Sequence, residues 1–160
     1  MKNILNIKEA IKLNKDLKKQ GKKIVLAGGV FDILHIGHIT FLEKAKKEGD
    51  FLVVLLESDE KVKRSKGEVR PINTIDDRAI LLCALKSVDF VVKLPLIESN
   101  DDYDRLIEKI NPNILVSAYG DKEIEHKKRQ AKKFGIELKI VMKVLKDKST
   151  TNLVKLLGYF

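Results

Sequence analysis

A chain of 160 residues with 44% apolar content has the size and composition of one folded domain rather than a disordered segment. No run approaches the roughly 18 apolar residues that a bilayer span needs, and the N-terminus lacks the apolar block and cleavage site of a secretory signal, so a cytoplasmic protein is expected. The formal net charge of +9 would attract polyanions, but lysines are interspersed with glutamates along helical patterns and aromatics make up only 6%, which argues for solvated helix faces over a specific nucleic-acid surface.

Residues 4–20 place Ile4, Ile7, Ile11 and Leu17 at helical spacing, with Gly21 as a stop, and predict an amphipathic N-terminal helix packed on a single domain spanning 1–160. Residues 23–27 form a short apolar run ending at Gly28-Gly29, a buried strand entering a tight loop. A helix is expected from about Gly37 to Gly49, and a second apolar strand over 51–56. A short helix follows at 58–64, then a polar loop at 65–73 and a helix at 75–87. Strands at 90–92, 114–116 and 138–141 alternate with helices at 103–110 and 123–134, and residues 150–157 close the chain as a helix. Strands apolar on both faces and separated by helices imply an α/β class: a Rossmann-like, doubly wound, five-stranded parallel sheet with helices on both faces. In such sheets ligands sit beyond the carboxyl ends of the strands, which directs attention to the loops after Ala27, Glu57, Val92 and Val116. The single cysteine, Cys83, is read as core filler, and His126, in a charged segment, as a surface residue.

Chemistry concentrates in Gly28-Gly-Val-Phe-Asp-Ile-Leu-His35-Ile-Gly37-His38, between the first strand and the next helix. Two imidazoles flank a glycine beside a helix start, where unpaired backbone N–H groups and the helix dipole favour an anion. Each imidazole can donate a hydrogen bond to a phosphate oxygen without being charged, and Gly37 lets a ligand approach the backbone.

This segment, followed by Phe41-Leu42, Ala45 and Gly49-Asp50, resembles the nucleotide-binding signature of the HxGH nucleotidyltransferase superfamily, the cytidylyltransferase-like proteins. Lys66-Gly67, Arg70-Pro71, Asp77-Arg78, Leu85 and Val88-Asp89 are similar to the middle motif of its heptose-1-phosphate adenylyltransferase and glycerol-3-phosphate cytidylyltransferase branch. Ser149-Thr150-Thr151-Asn152-Leu153 resembles the motif that opens the last helix there. The resemblance covers nearly the whole chain and implies transfer of a nucleotidyl group, AMP from ATP above all, to a phosphorylated small molecule such as a sugar 1-phosphate, in carbohydrate metabolism.

It implies His35, His38 and Lys66 as catalytic residues. Gly28, Gly29, Val30, Phe31, Asp32, Gly37, Arg78, Ser149, Thr150 and Thr151 would contact the nucleotide, and Asp32, Arg70, Tyr119 and Asp121 the acceptor. Asp32 has three roles open to it: orienting an imidazole, holding the acceptor, or engaging a metal ion. Mg²⁺ is expected to arrive with the triphosphate, bridging its phosphates with few protein ligands. A homodimer is implied as well. Two departures stand out: Gly28-Gly29 replaces the asparagine-glycine step, and Tyr119-Gly120-Asp121 replaces a Gly-Gly-Asp or Gly-Asp-Asp element. The alternatives are a CTP-dependent enzyme acting on glycerol 3-phosphate or another polyol phosphate, an FMN adenylyltransferase, or a nucleotide-binding regulator without turnover. Isotope exchange between pyrophosphate and the triphosphate separates the last from the enzymes, and salt-sensitive RNA affinity would mark a basic RNA-binding module.

Overall fold

The computed structural model describes residues 3–144. The first half of the chain runs β1 (Ile4–Leu5), α1 (Ile7–Lys19), β2 (Ile24–Gly29), α2 (Ile36–Lys46), β3 (Phe51–Leu56) and α3 (Asp59–Lys66). The second runs α4 (Ile75–Cys83), β4 (Phe90–Lys93), α5 (Asn100–Ile110), β5 (Ile114–Tyr119), α6 (Ile124–Phe134) and β6 (Glu137–Lys143). All the strands join one sheet in the order β1-β4-β3-β2-β5-β6, and every pairing is parallel. The doubly wound α/β class is therefore as expected, with six strands among the described residues instead of five.

Two apolar layers explain why the strands read as continuous runs. Along β2 and β3, Ile24, Leu26, Val53 and Leu55 enter one core, while the alternating Val25, Ala27, Leu52, Val54 and Leu56 enter the other. The first core is closed by Ala10 and Leu17 of α1, by Leu106, Ile107 and Ile110 of α5, and by Ala131 of α6. The second is closed by Leu42 and Ala45 of α2 and by Ala79 and Leu82 of α4.

The extra strand lies where a helix was expected. Asn6 caps α1 by accepting from the Glu9 N–H at 3.0 Å while the Glu9 carboxylate accepts from the Asn6 N–H at 2.8 Å, so the helix cannot extend back through residue 6. Ile4 and Leu5 are thereby released to pair with Val91 and Val92 at the sheet edge. Side-chain caps move other boundaries too. Ser99 accepts from the Asp102 N–H and starts α5 earlier than expected, and α3 runs on to Lys66 before Gly67, at φ 95°, stops it. Cys83, read as core filler, is half-buried and packs against the second core. The surface reading of His126 is corrected. His126 is 15% exposed, with Nε2 at 3.3 Å from Asp104, a buried carboxylate on α5 that also accepts from Arg129, Gln130 and Lys133 of α6. Burial raises the Asp104 pKa, but these donors outweigh it and hold it down at about 2, so α5 and α6 are fastened by a charged knot.

Among the described residues, no helix is long and apolar enough to cross a membrane. The expected helix at 150–157 and the hydroxyl residues Ser149, Thr150 and Thr151 lie outside the described residues.

Candidate active site

The sheet order places β3 and β4 on one side of β2 and places β5 and β6 on the other, so the winding reverses between β2 and β5. In a doubly wound sheet the ligand crevice lies beyond the carboxyl ends of the strands at such a reversal. The HxGH segment enters it directly from β2. Gly28 and Gly29 belong to the strand, paired with Leu55 and Leu56, and the turn comes after them. Phe31 takes the left-handed conformation at φ 48°, which folds its buried ring back over Gly29, where a Cβ would stand 2.8 Å from the ring. The same ring meets His38 edge-on at 5.1 Å.

His35 is the N-cap of α2, and its Nδ1 accepts from the Gly37 N–H at 3.1 Å. Neutral His35 therefore carries its proton on Nε2, the nitrogen left to donate to a ligand. His38 stacks on it, with ring centroids 3.8 Å apart and planes 25° from parallel. Burial, the neighbouring His35 and the Lys66 ammonium lower the His38 pKa to about 4, against a pull upward from the Ile33 backbone. Burial lowers His35 as well. Both rings are neutral donors at neutral pH.

That state has a stability consequence. A histidine with its pKa depressed by folding binds its proton more readily when unfolded, so stability is complete at neutral pH and declines as pH falls from the unfolded value near 6.5 toward 4. We expect acid to cost the wild type on the order of 3 kcal/mol across that window. Denaturant unfolding at neutral and mildly acid pH should show this loss shrinking in a His38→Gln variant. An equal loss in both proteins would exclude His38 as its source.

Asp32 is 1% exposed and faces inward. It accepts from Arg70 Nε at 2.6 Å, from the Ile72 N–H at 2.9 and 3.0 Å, and from the Asn73 N–H at 2.9 Å, while Asn73 Nδ2 donates to the Asp32 carbonyl at 2.6 Å. Burial raises its pKa, but these donors outweigh that and keep it ionised. In this arrangement its carboxylate anchors the 70–73 segment. Arg70, 2% exposed, leaves its Nη2 buried with no hydrogen-bond partner among the described residues. A guanidinium nitrogen in that condition is suited to an incoming anion.

Lys66 stands at the last turn of α3 and not in a loop. Burial, followed by repulsion from Arg70 and Lys122, lowers its pKa, while Asp32 pulls it upward. The lysine, Arg70 and the two imidazoles thus converge on one side of the crevice. Arg78, expected at the nucleotide, is 0% exposed. Its guanidinium donates to the carbonyls of Val30 at 2.6 Å, Glu57 at 2.9 Å and Asn73 at 3.1 Å, and to the Asp59 carboxylate at 2.6 Å. It ties three loops of the crevice together from beneath.

The β5–α6 loop divides its residues. Tyr119 is 69% exposed, whereas Asp121 turns back to accept from Ser117 Oγ at 2.6 Å and Lys127 Nζ at 2.7 Å. Gly120 at φ 89° makes that reversal possible.

Residues 26–155 match the family described as cytidylyltransferase-like. The chain belongs to that family. Among curated relatives, a protein from Aliarcobacter butzleri named bifunctional protein HldE is 45% identical over 152 residues, which is 95% of this chain and 30% of the relative. A protein of the same name from Nitratiruptor is 47% identical over 123 residues, 76% of this chain and 26% of the relative. The chain thus spans under a third of the length of these relatives. A lipopolysaccharide core biosynthesis protein from Thermoplasma volcanium is 35% identical with a TM-score of 0.60, covering 78% of this chain and 97% of that one. A pantoate-beta-alanine ligase from Francisella tularensis, 21% identical with a TM-score of 0.62 over 88% of this chain and 66% of that one, shares the fold.

In this cytidylyltransferase-like domain, sequence reasoning passed over residues that the structure brings to the crevice. Glu57 follows directly on β3, and its carboxylate accepts from the Tyr103 hydroxyl of α5 at 2.8 Å. Lys122 lies near enough to influence Lys66. Only the position of Glu57 at a strand end hinted at its place, because Tyr103 lies 46 residues away in the chain.

Proposed function

We propose that the protein is an adenylyltransferase that moves AMP from ATP to a sugar 1-phosphate and releases pyrophosphate. The observation that carries this reading is the stacked, neutral His35–His38 pair at the start of α2, on the same side of the crevice as Lys66 and the buried Arg70 guanidinium with its unpartnered Nη2. An acceptor phosphate oxygen attacks the α-phosphorus in line, a new P–O bond forms, and the bond to the β-phosphate oxygen breaks with its electrons leaving on pyrophosphate. The attacking oxygen is already ionised at neutral pH, so no general base is needed. His35 and His38 donate hydrogen bonds to the charge that builds on the phosphates, and Lys66 with Arg70 reduces repulsion between the two anions.

Among the described residues there is no cluster of three or more metal-binding side chains. The nearby Asp32 and Asp121 are held by cations of the protein. These residues fit a Mg²⁺ carried by the phosphates themselves, where the ion would neutralise their charge. The names of the relatives, with the resemblance to heptose-1-phosphate adenylyltransferases, support a sugar acceptor. A homodimer in the cytoplasm belongs to the same reading.

The test is a pyrophosphate-release screen with ATP, CTP, GTP and UTP against heptose 1-phosphate, glycerol 3-phosphate, other sugar phosphates and FMN. Release with ATP and a sugar 1-phosphate is expected. Release confined to CTP with glycerol 3-phosphate, or to FMN with ATP, would replace this reading with the corresponding transferase.

A further inference from the structure

Carboxylates at the crevice fall into two kinds. Asp32, Asp59 and Asp121 are each paired with a cation, namely Arg70, Arg78 and Lys127. Glu57 makes no ion pair among the described residues, and its one side-chain partner there is the neutral hydroxyl of Tyr103 at 2.8 Å. Its backbone is fixed on both sides: the N–H donates to the Gly29 carbonyl at 3.2 Å, and the carbonyl accepts from Arg78 at 2.9 Å. Glu57 is therefore held beside the end of β2, on the α5 side of the sheet edge, whereas His35 and His38 stand at the start of α2 on the other side.

An unpaired carboxylate repels phosphate groups, so this side of the crevice is unsuited to the charged part of either substrate. An ionised carboxylate has about four acceptor positions, of which Tyr103 takes one. Adjacent hydroxyl groups match what remains. Resting on the adenylyltransferase reading, we propose that Glu57, positioned by Tyr103, is a specificity-determining residue that accepts hydrogen bonds from sugar hydroxyls of a substrate. Those hydroxyls come either from the acceptor sugar or from the nucleotide ribose.

Four groups face the carboxylate. Burial raises its pKa and Glu123, just before α6, adds to the rise, while Tyr103, Lys61 of α3 and Arg78 of α4 oppose it. The net rise means that acid protonates Glu57 more readily than an ordinary glutamate, and protonation removes acceptor capacity.

The experiment titrates heptose 1-phosphate, ATP and 2′-deoxy-ATP separately onto the full chain and onto Glu57→Gln, from neutral to mildly acid pH. Glutamine keeps the shape and an oxygen for Tyr103. Affinity for the sugar phosphate lowered at least about tenfold with ATP unaffected supports the acceptor sugar, and the wild type should then weaken toward acid pH while the variant stays flat. A comparable loss for ATP alone, with the wild-type preference over 2′-deoxy-ATP abolished, supports the ribose. Unchanged affinities, equal losses for both ligands, or a wild type that binds neither would overturn the proposal. Pyrophosphate release measured on the same samples reports separately on the transferase reading, since binding requires no turnover.

Discussion

Replacing His38 by alanine is expected to lower pyrophosphate release by roughly a hundredfold to a thousandfold, the effect of deleting one preorganised donor to transition-state charge. The size follows from how firmly the ring is placed. It is pressed between the Phe31 edge and the His35 face, so its orientation is held before any substrate arrives. Alanine removes the donor and one side of the stack together, and His38→Asn, which keeps an N–H near the ring position, should recover part of the rate. Because the ring is already neutral with a pKa of about 4, the wild-type rate at saturating substrate should hold its level into mildly acid pH. Stopped pyrophosphate assays beside a thermal melt would check both points. A variant that keeps full turnover while remaining folded would remove His38 from the chemistry.

Arg78→Met should destabilise the domain by about 3–5 kcal/mol, the range seen when one partner of a buried charged network is removed. Methionine fills much of the volume but donates nothing. The carbonyls of Val30, Glu57 and Asn73 and the Asp59 carboxylate would all lose a donor at once. For a domain of this size, that loss corresponds to a fall in Tm of roughly 10 °C. The exposed Lys93–Asp76 pair offers a comparison, because its removal should cost no more than about 1 kcal/mol. Thermal unfolding of both variants decides the matter, and similar small shifts in the two would mean that Arg78 is not the fastening described.

The sequence makes the class of fold legible because it is written in periodicity. Residues alternate between two cores along β2 and β3, and the glycine-histidine segment falls where a strand meets a helix. Boundaries set by a single side chain are harder to read. The Asn6–Glu9 capping box is visible at the correct spacing, but the apolar pattern of Ile4, Ile7 and Ile11 runs straight across it, and only the pairing with Val91 and Val92 shows which signal prevails. At the site, local sequence points to His35 and His38, since the helix start brings them together by itself. It cannot show that Asp32 faces Arg70, 38 residues away, or that Arg78 turns inward to Val30 across 48 residues. These are tertiary pairings, and a charged side chain reads the same in sequence whether it meets a ligand or a buried carbonyl.

An all-parallel sheet gives the molecule two ends with different obligations. Every strand delivers its chain to the end that holds the histidines, so substitutions there meet chemistry. At the opposite end the chain merely returns, through Gly21, Asn111 and Gly135 in left-handed turns, at φ 72°, 50° and 65°. At Gly21 and Gly135 nothing lies within 4 Å of where a side chain would begin. That end is a natural place for a surface tether or an inserted peptide, because an attachment there meets the return turns and none of the loops that carry the histidines, Lys66 or Arg70.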